Sequence, residues 1–143
     1  MYWPLRSALE HSAPLRWFGR VTDLLWVARR CLELPVRQFE HQAKGRLLDV
    51  GCGSQPYRRY FTYVDRHVGV DLPGSFGPRD AYTNGMRLPF YVSVFDAVLC
   101  NQVLVHVPEP HTLMSEAARV LWPGGVLILT TSQVWALHHE PHD

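Results

Sequence analysis

The fold of this chain is decided by residues 47–54, which have the sequence LLDVGCGS. An apolar run typical of a buried β-strand leads directly into a Gly-x-Gly turn. Glycines there allow positive φ and let a ligand lie against bare backbone, where a Cβ atom would collide. Asp49 is a carboxylate among apolar neighbours at the strand end, so we expect it to require a partner, and a ligand ammonium group would serve.

A second acid follows the next predicted strand. Residues 68–70 (VGV) end on Asp71, about twenty residues beyond Gly51, which is the spacing of the ribose-binding acid in nucleotide-binding folds. A carboxylate in this position can accept hydrogen bonds from both hydroxyls of an adenosine ribose. The turn and the acid together indicate a nucleoside-containing cofactor. The alternative is that Asp49 and Asp71 are caps at the starts of helices.

After Gly45, short β-type runs alternate with glycine turns and helical stretches. We predict strands at 46–50, 67–70, 81–83, 95–99 and 126–131, and helices at 56–61 and 110–121. This alternation is typical of a parallel sheet with helices on both faces. Ligands bind such α/β sheets beyond the carboxyl ends of the strands, so the site residues should follow the strands directly.

The first 44 residues have a different, helical character. Apolar residues recur at helical spacing between residues 13 and 34, Pro14 suits the start of this helix, and Pro35 should end it. Shorter helices are predicted at 5–11 and 36–43. We therefore divide the chain into an N-terminal helical cap or lid, residues 1–44, and a cofactor-binding domain, residues 45–143.

The composition narrows the functional classes. At 143 residues and 47% hydrophobic content, the chain can bury the core of one globular domain. Its net charge of +1 argues against a dedicated nucleic-acid-binding protein. The three cysteines are widely spaced and match no disulfide framework or zinc motif, and no signal peptide or membrane-spanning segment is evident. These features favour a cytoplasmic location.

The residues after the turn argue against a dinucleotide. A dinucleotide-binding fingerprint has a third glycine, Gly-x-Gly-x-x-Gly, which allows close packing of the following helix. Pro56 occupies that position here, and proline lacks the amide donor that a pyrophosphate would use. An NAD-dependent oxidoreductase is therefore the less favoured alternative.

Several linked segments resemble class I, Rossmann-like S-adenosylmethionine-dependent methyltransferases of the type-11 domain. They are LLDVGCGSQPY (47–57), GVDLPG (69–74) and MRLPFYVSVFDAVLCNQVLVHVPEPHTLMSEAARVLWPGGVLILTT (86–131). The resemblance implies a three-layer α/β fold with a parallel sheet of order 3-2-1-4-5. The family usually continues beyond the fifth strand, so we expect a sheet truncated before strands 6 and 7. Strand 126–131 would then be an uncovered edge through which the chain could form a homo-oligomer.

The resemblance also implies which residues hold the methionine part of the cofactor. Gly51 and Gly53 would contact it through their backbone, with Cys52 between them contributing backbone and not its thiol. Asp49 would lie near the cofactor's amino group. Asn101 and Gln102 would line the part of the cleft that holds the methionine and sulfonium end of the cofactor.

For the adenosine part, the resemblance places Asp71 at the ribose and Leu72 against the adenine. Asn84, Gly85 and Met86 occupy the position where the family commonly has Asp-Ala. The Asn84 side-chain oxygen would meet the adenine amino group, and the Gly85 amide would meet a ring nitrogen.

The sequence departs from the family pattern after the fourth strand. Relatives often have Leu-Glu-His there, but Val105 replaces the acid, so no role of that carboxylate carries over. His106 is a candidate general base, because imidazole can take a proton near neutral pH. The alternative is a structural histidine bonded to the turn before Pro108. The C-terminal cluster of His138, His139, His142 and Asp143 matches no zinc signature, so we expect no metal.

We therefore predict an S-adenosylmethionine-dependent methyltransferase with a small-molecule acceptor that the sequence does not name. Methyl transfer is an in-line displacement that relies on positioning, so cofactor residues are easier to predict than catalytic ones. A non-catalytic S-adenosylmethionine-binding module or inactive fragment is the alternative. The N-terminal tryptophans and arginines could also let that region lie on a membrane surface, although a lid over the cofactor site is favoured.

Overall fold

The structure is a computed structural model that describes residues 24–75 and 77–131. The chain divides into two compact units, Met1–Leu34 and Pro35–Asp143. In the first unit, the described residues belong to helix α1, Leu24–Phe39, which continues into the second unit. The helix predicted at 5–11 and the start predicted near residue 13 lie outside the described residues.

Helix α1 does not end at Pro35, as the sequence predicted, but continues to Phe39. A three-residue 3-10 helix, Glu40–Gln42, follows it. Proline removes one helical hydrogen bond, which weakens a helix but does not always stop it. Val36 comes directly after the proline and is fully buried, and burying such a side chain stabilises by about 1.5–3 kcal/mol. The separate helix predicted at 36–43 is thus the end of α1 and its 3-10 extension.

Five strands form one all-parallel sheet. They are β1 (Gly45–Val50), β2 (Val64–Asp71), β3 (Ala81–Tyr82), β4 (Phe95–Asn101) and β5 (Leu121–Thr130). Their order is β3-β2-β1-β4-β5, with every pairing parallel. The predicted 3-2-1-4-5 order is therefore confirmed. Within the described residues, β5 is an edge strand that pairs with β4 alone.

Two predicted boundaries were wrong. Strand β5 begins at Leu121, well before residue 126, and its pairing with β4 shifts register between Phe95 and Ala97. The register shift coincides with residues 122–125 of β5, Trp-Pro-Gly-Gly. Proline and glycine disfavour regular strand pairing, so the sequence did not predict a strand there. The helix predicted at 56–61 is only a 3-10 helix, Arg58–Tyr60.

The tight turn before this 3-10 helix explains why no α-helix forms. The Gln55 amide donates to the Cys52 carbonyl at 2.7 Å, and Gln55 has a positive φ of 55°. A left-handed residue interrupts helical geometry, and the following Pro56 cannot donate a backbone hydrogen bond. The glycine turn therefore leads into a short loop and not into a helix N-terminus.

Helices cover both faces of the sheet, as predicted. The helix expected at 110–121 is confirmed as α2, Pro110–Val120, and it buries Leu113 against Leu48 on one face. On the other face Val36 of α1 packs in a core with Leu47 and Leu99. Alternate residues of each strand point to opposite faces, so the two cores and the sheet between them make a three-layer α/β fold.

Within residues 24–75 and 77–131, no helix is both long and apolar enough to cross a bilayer.

Candidate functional site

A cleft of about 540 Å³ opens where β1, β2 and β4 end. Its size is typical of small-molecule sites, which have volumes of about 300–1,000 Å³. The residues that line it are Val50, Gly51, Asp71, Leu72, Thr83, Asn84, Gly85, Met86, Asn101, Gln102, Val103, His106, Val107 and Pro108. The cleft therefore combines an apolar wall with a few polar groups.

Most residues predicted for the site lie together in this cleft. Gly51, Asp71, Leu72, Asn84, Gly85, Met86, Asn101, Gln102 and His106 all line it. Three predicted residues, Asp49, Cys52 and Gly53, do not line it. The sequence prediction missed Val50, Thr83, Val103, Val107 and Pro108. Because Val50 ends β1 and the others follow β3 or β4, the rule that sites lie at strand ends could have found them. That the predicted residues contact a cofactor stays a prediction.

The turn after β1 requires glycine at its first position. Gly51 has a positive φ of 69°, and its amide donates to the Val70 carbonyl at 2.9 Å. A Cβ atom on Gly51 would lie only 2.4 Å from Cγ2 of Val103, which is too close for two carbon atoms. Gly53 also has a positive φ, of 50°, but a Cβ atom there would meet no heavy atom within 4 Å. Gly51 is therefore fixed by both conformation and packing, and Gly53 by conformation alone.

The carboxylate of Asp71 ties the glycine turn to the end of β2. One oxygen accepts the Gly53 amide at 2.6 Å. The other accepts the Leu72 amide and the Ser75 hydroxyl, both at 2.7 Å. An ionised carboxylate has about four lone-pair sites, so these bonds leave room for roughly one more. Asp71 thus has the bonding role of a loop cap as well as a position on the cleft wall.

Arg79 folds the loop between β2 and β3 against the turn. Its guanidinium donates to the carbonyl oxygens of Leu72 at 3.0 Å, Gly77 at 2.7 Å and Ser75. It also lies 5.5 Å from the centre of the Tyr82 ring, within the range of a cation–π contact. The sequence offered no signal for this arrangement, because the carbonyl groups that receive Arg79 come together only in the folded loop.

The groups predicted to meet adenine are engaged in local hydrogen bonds. The Asn84 side-chain oxygen accepts the Met86 amide at 3.1 Å. The Gly85 amide donates to the Thr83 hydroxyl at 3.0 Å, and that hydroxyl donates to the Arg87 carbonyl at 3.0 Å. The NH2 group of the Asn84 side chain takes no part in these bonds. Asn84 therefore presents hydrogen-bond donors, whereas an aspartate at this position would present a second acceptor oxygen.

A polar network closes the cleft at the end of β4. Gln102 has a positive φ of 59°, which is uncommon for a residue other than glycine. Its backbone amide donates to the Thr130 carbonyl at 3.0 Å and its side chain to the Thr130 hydroxyl at 3.3 Å, while that hydroxyl bonds to the Asn101 side chain. These bonds hold Asn101 and Gln102 in place. His106 is exposed on the cleft wall and ends the 3-10 helix Leu104–His106.

Asp49 lies beside the cleft residues, within the sheet. Its side chain is 4% exposed, and its Oδ2 lies 3.5 Å from Nε2 of His67, whose side chain is 5% exposed. Although this distance would allow an ion pair, burial opposes charge on both groups. Burial, with the negative charge of Asp71 adding to it, raises the pKa of Asp49 to about 7. Burial, reinforced by Arg58 and opposed by Asp80, lowers the pKa of His67 to about 4.

Residues 24–75 and 77–131 contain no group of three or more His, Cys, Asp or Glu side chains placed to hold a metal ion. The cluster of His138, His139, His142 and Asp143 lies outside the described residues.

The fold and cleft define the class of this protein. A parallel sheet with its order reversed at β1, a glycine turn after β1, an acid after β2 and a cleft at the strand ends are the features of a Rossmann-like nucleotide-binding domain. The family model for a methyltransferase domain matches residues 48–129. The chain belongs to the S-adenosylmethionine-dependent methyltransferase family.

Similar sequences agree with this assignment. The chain is 35% identical to an uncharacterized methyltransferase of Mycolicibacterium paratuberculosis, over 88% of this chain and 53% of that protein. It is 31% identical to the 27-O-demethylrifamycin SV methyltransferase of Amycolatopsis mediterranei, over 90% of this chain and 48% of that enzyme. The chain thus spans about half the length of the curated relatives it matches.

Solved structures share the fold. The YcgJ protein of Bacillus subtilis superposes with a TM-score of 0.57 and 27% identity, over 69% of this chain and 50% of that one. The [4+2]-cyclase SpnF superposes with a TM-score of 0.53 and 26% identity, over 68% of this chain and 43% of that one. Both structures therefore show the same fold as this chain, and one of them is named for a cyclisation.

The residues of the cleft fit S-adenosylmethionine. Gly51 is exposed and lines the cleft with backbone alone, and the apolar wall of Leu72, Met86 and Val103 suits an adenine ring and a thioether chain. Asp71 supplies an acceptor at the end of β2, where a ribose hydroxyl can donate.

Proposed function

We propose that this chain binds S-adenosylmethionine in the cleft and serves transfer of its methyl group to a small-molecule acceptor. The observation that carries the proposal is that Gly51 and Asp71 line the same cleft at the strand ends. The Asp71 carboxylate also accepts a hydrogen bond from the glycine turn, at the Gly53 amide. When bound, the cofactor supplies a methyl group activated by a positively charged sulfur. The chain's own contribution is positioning: Gly51 leaves backbone accessible, Asp71 orients the ribose, and Asn101 and Gln102 hold the wall near the reacting end.

We assign His106 as the candidate base for an acceptor that must lose a proton. It lies on the same cleft wall as Gln102 and Val103, and histidine is suited to proton transfer near neutral pH. The similar enzyme named for 27-O-demethylrifamycin SV supports an oxygen atom as the methyl acceptor. The alternative role for His106 is to stabilise the turn before Pro108.

A non-catalytic S-adenosylmethionine-binding role is the second candidate. The [4+2]-cyclase SpnF, which is named for a cyclisation and not for methyl transfer, has a similar fold, and this supports the second candidate. The same cleft residues would bind the cofactor in either case, so cofactor binding is tested first and methyl transfer separately.

Residues 1–44 would form a lid. The β5 edge would pair with a second copy of the chain, because unpaired backbone groups beside apolar side chains recruit other strands. Leu129, on this strand, is 38% exposed. A cytoplasmic location is supported by the free thiols of Cys31, Cys52 and Cys100.

The cofactor assignment predicts a ligand-specific rise in melting temperature. S-adenosylhomocysteine binds only the folded state, so at 100 times its Kd it should stabilise the protein by about 2.7 kcal/mol. Thermal unfolding is measured with S-adenosylhomocysteine, with S-adenosylmethionine and with NAD as the control ligand. A shift with NAD alone would contradict the proposal and favour the oxidoreductase alternative.

We also predict that Asn84→Asp strengthens cofactor binding. The single side-chain oxygen of Asn84 already accepts the Met86 amide, whereas a carboxylate would keep that bond and offer its second oxygen to the adenine amino group. One added hydrogen bond is worth about 0.5–1.5 kcal/mol, or roughly twofold to tenfold in Kd.

Calorimetry with S-adenosylhomocysteine measures this change. The matched control is Asn84→Ala, which removes both the turn bond and the adenine contact and should weaken binding. If Asn84→Asp and Asn84→Ala weaken binding equally, Asn84 is a turn residue and the adenine lies elsewhere.

A further inference from the structure

Asp49 and His67 form a polar pair that is buried within the sheet. Oδ2 of Asp49 and Nε2 of His67 are 3.5 Å apart, with both side chains at most 5% exposed. Among the described residues, neither Oδ2 of Asp49 nor either ring nitrogen of His67 has a hydrogen-bond partner. Buried polar atoms are nearly always satisfied, so these two groups have chiefly each other.

The strand register explains why the two groups meet. Asp49 pairs with Gly69 on β2 and with Leu99 on β4, and His67 pairs with Leu47. Residues at alternate positions share a face, so Asp49 and His67 point to the same side of the sheet. Gly69 has no side chain to separate them. The pair is therefore enclosed by the apolar core on that face.

Several charged or titratable groups surround this pair. Asp71 acts on Asp49, while Arg58 and Asp80 act on His67. Burial, with the negative charge of ionised Asp49 adding to it, raises the pKa values of two nearby thiols, Cys52 and Cys100. Asp71 is the member of this group that also lines the cleft, so the field of a charge on the cleft wall reaches the buried carboxyl.

A buried carboxyl beside a neutral imidazole retains its proton far above the ordinary range. With the pKa of Asp49 raised to about 7 and that of His67 lowered to about 4, the pair is uncharged between these values and holds one proton. The protonated carboxyl can donate it to the imidazole, which supplies the partner that both lack. The titration belongs to the pair and not to either residue alone.

We propose that the Asp49–His67 pair releases a proton when the cofactor's ammonium group enters the cleft, so that cofactor binding and proton release are coupled. The O–H bond of the Asp49 carboxyl breaks, the proton passes to solvent, and the carboxylate stays buried beside the cleft that holds the positive charge. His67 is a positioning residue that stabilises the protonated form in the free protein. This inference rests on the proposed function of the cleft.

The direction follows from the sign of the charges. The negative charge of Asp71 makes ionisation of Asp49 harder, so a positive charge in the same cleft makes it easier. The complex then binds fewer protons than the free protein. Affinity should rise as pH rises toward about 7 and level off above it, with a slope of up to about tenfold per pH unit below that value.

Calorimetry with S-adenosylhomocysteine, whose ammonium group is the probe, tests the coupling in the unmodified chain. Titrations at about pH 6 and pH 8, each in two buffers of different ionisation enthalpy, give the number of protons released. We expect about one proton at the lower pH and almost none at the higher pH. Carboxyl-carbon NMR of the free protein separately measures the titration of Asp49, whether or not a ligand binds.

Matched variants assign the proton to its site. Asp49→Asn should bind without releasing a proton. Asp96→Asn should release it like the parent, because Asp96 sits at the other end of the sheet, where it accepts the Arg46 amide at 2.8 Å and its pKa is lowered. His67→Phe removes the acceptor that favours the protonated form, so its proton release at about pH 6 should fall.

The outcomes separate this inference from the proposed function. Binding without proton release, or proton release that persists in Asp49→Asn, overturns the coupling and leaves cofactor binding intact. Titration of Asp49 in the ordinary carboxyl range in the free protein also overturns it. Failure of S-adenosylhomocysteine to bind at either pH overturns the proposed function and, with it, the coupling.

Discussion

Gly51→Ala is expected to lower affinity for S-adenosylhomocysteine by about 10-fold to 100-fold, a cost of about 1.4–2.8 kcal/mol. The new Cβ atom would lie 2.4 Å from Cγ2 of Val103. Valine is β-branched and stiff at χ1, so it cannot swing away without moving its backbone. Val103 lines the cleft, and its displacement would change the shape of the site.

The same substitution should also destabilise the fold. A non-glycine residue at positive φ costs on the order of 1 kcal/mol, and overpacking costs typically 1–3 kcal/mol more. Denaturant unfolding of the free protein measures this loss, while calorimetry measures the loss of affinity. The two measurements distinguish a damaged fold from a damaged site.

Gly53→Ala is the matched control for conformation. Gly53 has a similar positive φ of 50°, but a Cβ atom there would meet nothing within 4 Å. It should therefore lose only the conformational cost of roughly 1 kcal/mol. The double variant Gly51→Ala/Val103→Ala removes the overlapping atom and should recover part of the stability. Wild-type affinity in Gly51→Ala would show that the cofactor does not approach this turn.

The second large effect is expected for Asp71→Asn. The amide keeps one acceptor oxygen and places an NH2 group where the carboxylate accepted either the Gly53 amide or the bonds from Leu72 and Ser75. A fully buried donor left without an acceptor costs about 1–3 kcal/mol, and the cost should be smaller here because Asp71 is only half-buried. Loss of the charge-assisted ribose bond should cost a further 1.5–3 kcal/mol of binding, about 10-fold to 150-fold in Kd.

Two control variants separate these contributions. Ser75→Ala removes one bond to Asp71 but keeps its charge, so it should lower stability slightly and leave affinity nearly unchanged. Asp80→Asn removes a nearby carboxylate that accepts the Gly69 amide at 2.8 Å and does not line the cleft. If Asp71→Asn lowers stability but binds the ligand as well as Asp80→Asn does, Asp71 only supports the turn.

Much of the site could be predicted from sequence because it is built from local elements. An apolar strand followed by Gly-x-Gly predicts a turn at residues 50–53, and the period-2 strand ending at Asp71 predicts an acid at the same edge of the sheet. The strand order came from the family resemblance of linked segments. Two helix predictions failed, at 56–61 and at Pro35, because a left-handed Gln55 and the burial of Val36 outweighed local propensity.

The sequence by itself determined the parallel α/β fold, the glycine turn and most of the residues that line the cleft, since strand ends converge at one edge whatever the details of packing. Only the tertiary structure decided that Val103 faces Gly51, that Asp71 anchors the turn and that Asp49 meets His67. Each of these contacts joins residues far apart in the chain. Their formation depends on strand register and loop path, which no local pattern of residues specifies.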